Sequence, residues 1–180
     1  MKKIQNNLKL MVILALLCAI SIVMGKYLAI RGGDFMRFSL ENMPIIFAGI
    51  AFGPISGLIV GVIADLVGCV MVGYTINPLV TIGAGAIGLV SGIVNLVLKK
   101  YFPSEKLNLI LSVISAHIVG SLVIKTIGLA AYYDVSFGVL LLWRMLNYLI
   151  VSAIDGAVLY ILLTNKEIRS QIKSIKGEKK

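Results

Sequence analysis

Arg144, Asn147, Tyr148, Val151 and Asp155 follow one another down a single apolar run at spacings that put them on one helical face. Arg144 and Asp155 are eleven positions apart, close to three turns and about 16 Å along a helix axis. Direct pairing between them is not expected at that distance, so Arg144 remains able to meet a ligand. Three further groups interrupt the apolar runs: Arg31, Arg37, Phe38 and Glu41; Tyr74, Thr75 and Asn77; and Lys125, Tyr132, Tyr133 and Trp143. Gathered at one end of a bundle, these cations, amides and aromatics suit an anionic, ring-containing solute. Rings stack on aromatic faces, and a basic fork holds a carboxylate by two parallel hydrogen bonds. An interfacial aromatic belt with snorkelling cations accounts for Tyr132, Tyr133 and Trp143 equally well, but less well for Arg37, Arg144 and Asn147.

Reactive constellations are missing. The sequence has no His-Glu-x-x-His metal helix and no Gly-x-Ser-x-Gly elbow. The segment from Gly120 to Lys125-Thr126 imitates a P-loop, but Ile124 stands where the second glycine is required. His117 has no companions at metal-ligand spacing and is expected to make an interhelical hydrogen bond. Cys18 and Cys69 fall in apolar helices, where a free thiol behaves as a small hydrophobe, and two cysteines support neither a disulfide framework nor a metal site. No enzyme, and no cofactor bound by this chain, is expected.

The elements that must position these residues are membrane helices. Hydrophobic residues make up 59% of the 180 positions and charged residues only 14%, far from the balance of soluble domains. The apolar segments lack the alternation of a β-barrel. Six spans are expected near Leu10–Ile30, Glu41–Phe52, Pro54–Val72, Pro78–Leu98, Leu107–Leu129 and Val139–Leu163. All but the second approach the roughly 20 residues needed to cross a bilayer. The second is short, with Pro44 and Pro54 near its ends, and is expected to be tilted or partly irregular. The run without charge between Asp65 and Lys99 is too long for one span and breaks at Gly73-Tyr74-Thr75-Ile76-Asn77-Pro78.

The fold class expected is all-α: a six-helix integral membrane bundle forming one domain over residues 1–180, with a basic tail from about 164. Lys2, Lys3 and Lys9 precede the first span, Lys99, Lys100 and Lys106 separate the fourth from the fifth, and Lys166, Arg169, Lys173, Lys176, Lys179 and Lys180 follow the sixth. Six spans put these groups on one face, which the positive-inside rule makes cytoplasmic, along with both termini. The net charge of +9 is therefore a topology signal and a contact for anionic lipid, not a nucleic-acid surface, since no reading motif accompanies it. Lys2-Lys3 before an apolar run imitates a signal peptide, but the run is too long and lacks a clear cleavage site, so it stays as the first helix.

Small residues supply the packing. Gly57, Gly61 and Asp65 share a face of the third helix, and Ala84, Gly88 and Gly92 a face of the fourth, as close contact between helices in lipid requires. Ala15 and Ala19, flanked by Leu14, Leu16, Leu17 and Ile20, form a smooth groove on the first helix.

Two stretches carry a resemblance. Arg37-Phe38-Ser39-Leu40-Glu41-Asn42-Met43-Pro44, followed by Gly53-Pro54-x-x-Gly57-x-x-x-Gly61-x-x-x-Asp65-x-x-Gly68, resembles the folate-specific substrate-binding subunits of energy-coupling-factor vitamin transporters, and Asn77-Pro78 continues the likeness. The Gly-Pro…Gly…Asp pattern is shared more broadly among these S-components, and Arg-Phe-Ser before the proline turns the choice toward folate.

The resemblance implies a prokaryotic plasma-membrane protein that captures vitamin at the outer face. It would then dock onto a transmembrane coupling subunit bearing two ATPases, which use the ATP, and topple in the membrane to release its cargo. It implies a gate at Arg31, Gly32, Gly33, Asp34 and Arg37, and a docking surface at Ala15 and Ala19. For folate, Arg37 and Arg144 (or Lys125) would meet the carboxylates, Asn147, Asn77 and Glu41 the pterin edge, and Phe38 or Trp143 its ring; Asp65 is either a bundle partner or a ligand contact. An S-component for another vitamin or a queuosine precursor is the alternative, ahead of an intramembrane enzyme or a channel.

Overall fold

The computed structural model describes the backbone of residues 2–31 and 37–176, and the side chains of 8–30 and 38–176. Seven helical rods account for nearly all of it. Helix α1 is α-helical over Lys2–Ile22 and closes with a π-helical turn, Val23–Tyr27. Strands β1 (Ile30–Arg31) and β2 (Arg37–Phe38) pair antiparallel, Ile30 opposite Phe38 and Arg31 opposite Arg37. Then come α2 (Asn42–Phe52), α3 (Pro54–Met71), α4 (Pro78–Tyr101), α5 (Glu105–Tyr133), α6 (Phe137–Thr164) and α7 (Lys166–Lys176).

Five of the helices, α1, α3, α4, α5 and α6, are long and apolar enough to cross a membrane. The sixth apolar segment, α2, has eleven residues and reaches only about 17 Å. It is a regular helix, not the partly irregular one the flanking prolines suggest. Nine of its residues are buried, against α1, α3, α4 and α6, so it is a central post of the bundle.

The ends are set by local chemistry. Gly53 stops α2 and caps α3 at φ +105°, a conformation that costs other residues dearly, and Pro54 follows at the first turn of α3, where its missing N–H is harmless. Asn77 caps α4 by accepting from Leu79 and Val80 N–H (3.0 and 3.4 Å), again with proline next. Helix α4 outlasts its apolar run and carries Lys99 and Lys100 in its last turn, where they complement the partial negative charge of a helix C-terminus. Charge alone does not announce α7, but Ile168, Ile172 and Ile175 recur at helical spacing and lay it against α1, α2 and α6.

The main seam of the bundle joins α3 to α4. Asp65 meets Thr81 (hydroxyl to Oδ2, 2.7 Å), Gly61 faces Ala84, Gly57 faces Gly88 and Pro54 faces Gly92. A side chain on Gly57 would stand 2.6 Å from the Gly88 carbonyl oxygen, and one on Gly92 2.6 Å from Pro54 Cα. The two small-residue stripes are thus the two halves of one interlocked antiparallel contact.

Candidate functional site

One end of the bundle, that of the β1–β2 pair, encloses a cavity of about 420 Å³, within the range of small-molecule sites. Its wall is assembled from the ends of six elements and the α3–α4 loop, with Val80 as the contribution of α4. Lys26 comes from the π turn of α1, Ser39 and Glu41 from the turn into α2, and Asp65 and Cys69 from α3; Tyr74, Thr75 and Asn77 come from the loop. Lys125, Tyr132 and Tyr133 come from α5, and Arg144, Asn147 and Tyr148 from α6.

The floor is a polar network sunk between helices. Lys125 is 4% exposed, a burial that a cation tolerates only when paired. Its Nζ lies 3.3 Å from Glu41 Oε1 and donates to Asn42 Oδ1 (3.5 Å). The amide of Asn42 donates to Ser121 Oγ (3.5 Å), which lies 3.4 Å from His117 Nδ1. The other ring nitrogen, His117 Nε2, meets Asp155 Oδ2 at 3.0 Å, the interhelical bond expected of this histidine. Glycines make room: a side chain on Gly83 would meet Lys125 Cγ at 2.6 Å, and one on Gly120 the Gly83 carbonyl at 2.7 Å.

A π-helical stretch of α5, His117–Ile124, sets up the cationic wall. π turns inside α-helices concentrate at functional sites. Here Lys125 N–H donates to Gly120 O, not to the Ser121 carbonyl that an α-helix would use. Ser121 O accepts from Arg144 (2.8 Å) and from the Thr126 hydroxyl (3.2 Å). Arg144 also reaches Tyr148 OH (3.4 Å), with its guanidinium 5.2 Å from that ring's centre. Among the described residues Arg144 has no acidic partner, and its buried Nε has no acceptor. A guanidinium in that condition has donors left over, and carboxylates are the acceptors its fork geometry matches.

Of the residues singled out by sequence, Glu41, Asn77, Lys125, Arg144 and Asn147 come together around this cavity. Asn77 is also built into the wall, its amide donating to Gly128 O at 2.8 Å. Phe38 and Trp143 do not line it; Trp143 is 42% exposed, one residue round the helix from Arg144. The backbones of Arg31 and Arg37 face each other across the β1–β2 pair. Their side chains, and the gate residues Gly32, Gly33 and Asp34, lie outside the described residues. Asp65 serves the bundle through Thr81 and borders the cavity as well. Lys26 is the cavity cation that spacing does not single out: its Nζ lies 3.5 Å from Cys69 Sγ and 5.6 Å from the centre of the Tyr74 ring. Its signal is Gly68, whose missing side chain lets the lysine stem cross α3.

Before its π turn, α1 packs inward through Leu14, Leu17, Cys18 and Ile22 and turns Ala15 and Ala19 outward, beside the exposed Leu16 and Ile20. The small pair therefore sits on an uncovered apolar face.

Apolar, membrane-length helices packed in a bundle are the build of a multi-pass membrane protein, and this one has a chamber with polar groups in its wall at one end. The family model for the ECF transporter substrate-specific component matches residues 9–168, and the chain belongs to that family. It is a transport component, not an enzyme, of a kind that binds a vitamin and works with an ECF module. No curated protein sequence matches the chain. Among solved structures, FolT bound with folic acid is similar at TM-score 0.67 and 22% identity, over 84% of this chain and 90% of that one. The S component of a bacterial ECF transporter is similar at TM-score 0.63 and 19% identity, over 88% of this chain and 97% of that one. At these identities the likeness is one of fold.

Proposed function

We propose that this chain is the folate-binding S-component of an ATP-driven vitamin importer. In this reading six segments cross the plasma membrane, both termini are cytoplasmic, and the cavity opens to the outside. The observation that carries the substrate choice is Arg144, a cation without an acidic partner among the described residues, set in a wall of amides and tyrosines. The glutamate tail of folate offers two carboxylates to such a wall: Arg37 takes one, and Arg144, or the Glu41-paired Lys125, the other. Asn147, Asn77 and Glu41 read the pterin's donor and acceptor edge, with Arg31 and Arg37 closing the gate above. The tyrosines at the cavity supply the stacking surface, in place of Phe38 and Trp143, which do not line it. The fold likeness to a FolT that holds folic acid supports the same choice.

Transport then needs partners. Ala15 and Ala19 give the coupling subunit a surface that its helices can approach closely, and two ATPase subunits attached to that subunit hydrolyse the ATP. This chain contributes recognition and needs no cofactor of its own.

Calorimetry on the purified protein with folate, folinate, pantothenate and thiamine tests the substrate. Nanomolar binding of a folate, with the others far weaker, is the expected result. Folates binding no better than micromolar while another vitamin binds in the nanomolar range would leave the S-component class standing and overturn folate.

A further inference from the structure

The opposite end of the bundle holds a second hollow, of about 580 Å³, under α7. Lys99, Lys106, Arg169, Lys173 and Lys176 border it, against a single acid, Glu105, which is ion-paired to Arg169. A cationic hollow of this kind is a receptor for phosphate or carboxylate. Its flank is unlike that of a site for a soluble anion. Lys106 and Tyr160, with the ammonium 5.2 Å from the ring centre, also head an apolar furrow of about 510 Å³ between α5 and α6. Ile110, Ile114 and Leu149 form its sides, and the small Ala153 and Gly156 open its floor. From Tyr160 to Leu149 the furrow runs about 16 Å along α6, the depth of one leaflet's hydrocarbon.

Charge at headgroup level, continuous with an apolar channel one leaflet long on the lipid-facing side of two membrane helices, matches one kind of molecule in shape and polarity. We propose that hollow and furrow are a single site for an anionic phospholipid of the surrounding bilayer. Lys106, Lys173 and Lys176 hold the phosphate, and one acyl chain lies in the furrow between α5 and α6. The lipid fastens α7 to the bundle, since Lys173 and Lys176 belong to α7 and Lys106 to α5. The site is independent of whichever vitamin the other end takes.

The test is electron spin resonance on the full chain reconstituted in phosphatidylcholine vesicles, with a trace of spin-labelled phosphatidylglycerol or spin-labelled phosphatidylcholine. The motionally restricted fraction should show a several-fold preference for phosphatidylglycerol. The triple change Lys106→Gln, Lys173→Gln and Lys176→Gln should bring that preference close to parity, with each lysine worth at most about fivefold. Gly156→Leu, which fills the furrow and leaves every charge in place, should also lower it. Lys173→Gln alone, on an exposed position of α7, should give a partial loss without disturbing the bundle. Helix content by circular dichroism must match across the variants compared. Parity in the unaltered chain, or preference unchanged in the triple or the Gly156 variant, overturns the proposal. So does displacement of the label by inorganic phosphate, which would make the hollow a site for a soluble anion.

Discussion

A guanidinium inside a membrane helix must find acceptors, and Arg144 finds two, the Ser121 carbonyl and the Tyr148 hydroxyl, while keeping donors to spare. If those donors meet the tail of folate, Arg144→Ala should weaken folate binding by about 2–3 kcal/mol, roughly 30- to 150-fold, the scale of breaking a buried charged contact. A tail-less pterin should lose far less affinity, and equal losses for both ligands by calorimetry would remove the carboxylate role. Under the floor, His117→Ala would strand the Asp155 carboxylate and should lower stability by about 1–3 kcal/mol, read as a lower unfolding temperature in detergent. Helical spacing alone puts Arg144 and Asn147 at the cavity, because three and four residues return to the same face. Spacing cannot say that Trp143 turns away or that Lys26 folds in over Gly68, since both depend on neighbouring helices.

Between α3 and α4 the backbones touch, and that contact fixes where Asp65, Tyr74 and Asn77 stand. Gly88→Val would drive a branched side chain into the Gly57 backbone and should cost about 3 kcal/mol or more, seen as loss of folded protein in the membrane. Gly138→Ala, where an added Cβ meets nothing within 4 Å, should be tolerated; equal loss in both would contradict the interlocked seam. The seam is legible in sequence as two small-residue stripes, each needing a partner with the same period. The π stretch of α5 is not, because nothing in His117–Ile124 breaks the helical pattern and the shift of register answers to Arg144 and Thr126. Nor does sequence reveal the burial of α2, whose composition matches a short membrane segment while its role comes from the helices around it.

As a whole, the molecule separates its tasks by place: a solute chamber at one end, an uncovered face on α1, and a basic hollow at the other end. Ala15→Trp with Ala19→Trp should abolish uptake in cells that also hold the energising module, yet leave vitamin binding to the purified protein unchanged. Loss of both in a folded protein would count against docking there. The account rests most heavily on a chamber that meets its cargo from outside the cell. In intact cells, with both native cysteines replaced by serine, a membrane-impermeant maleimide is applied to Tyr132→Cys and to Lys100→Cys. The account predicts that position 132 reacts and is protected by folate, and that position 100 reacts only after the membrane is opened. Equal reaction of both positions in sealed cells, or no effect of folate at position 132, would contradict it.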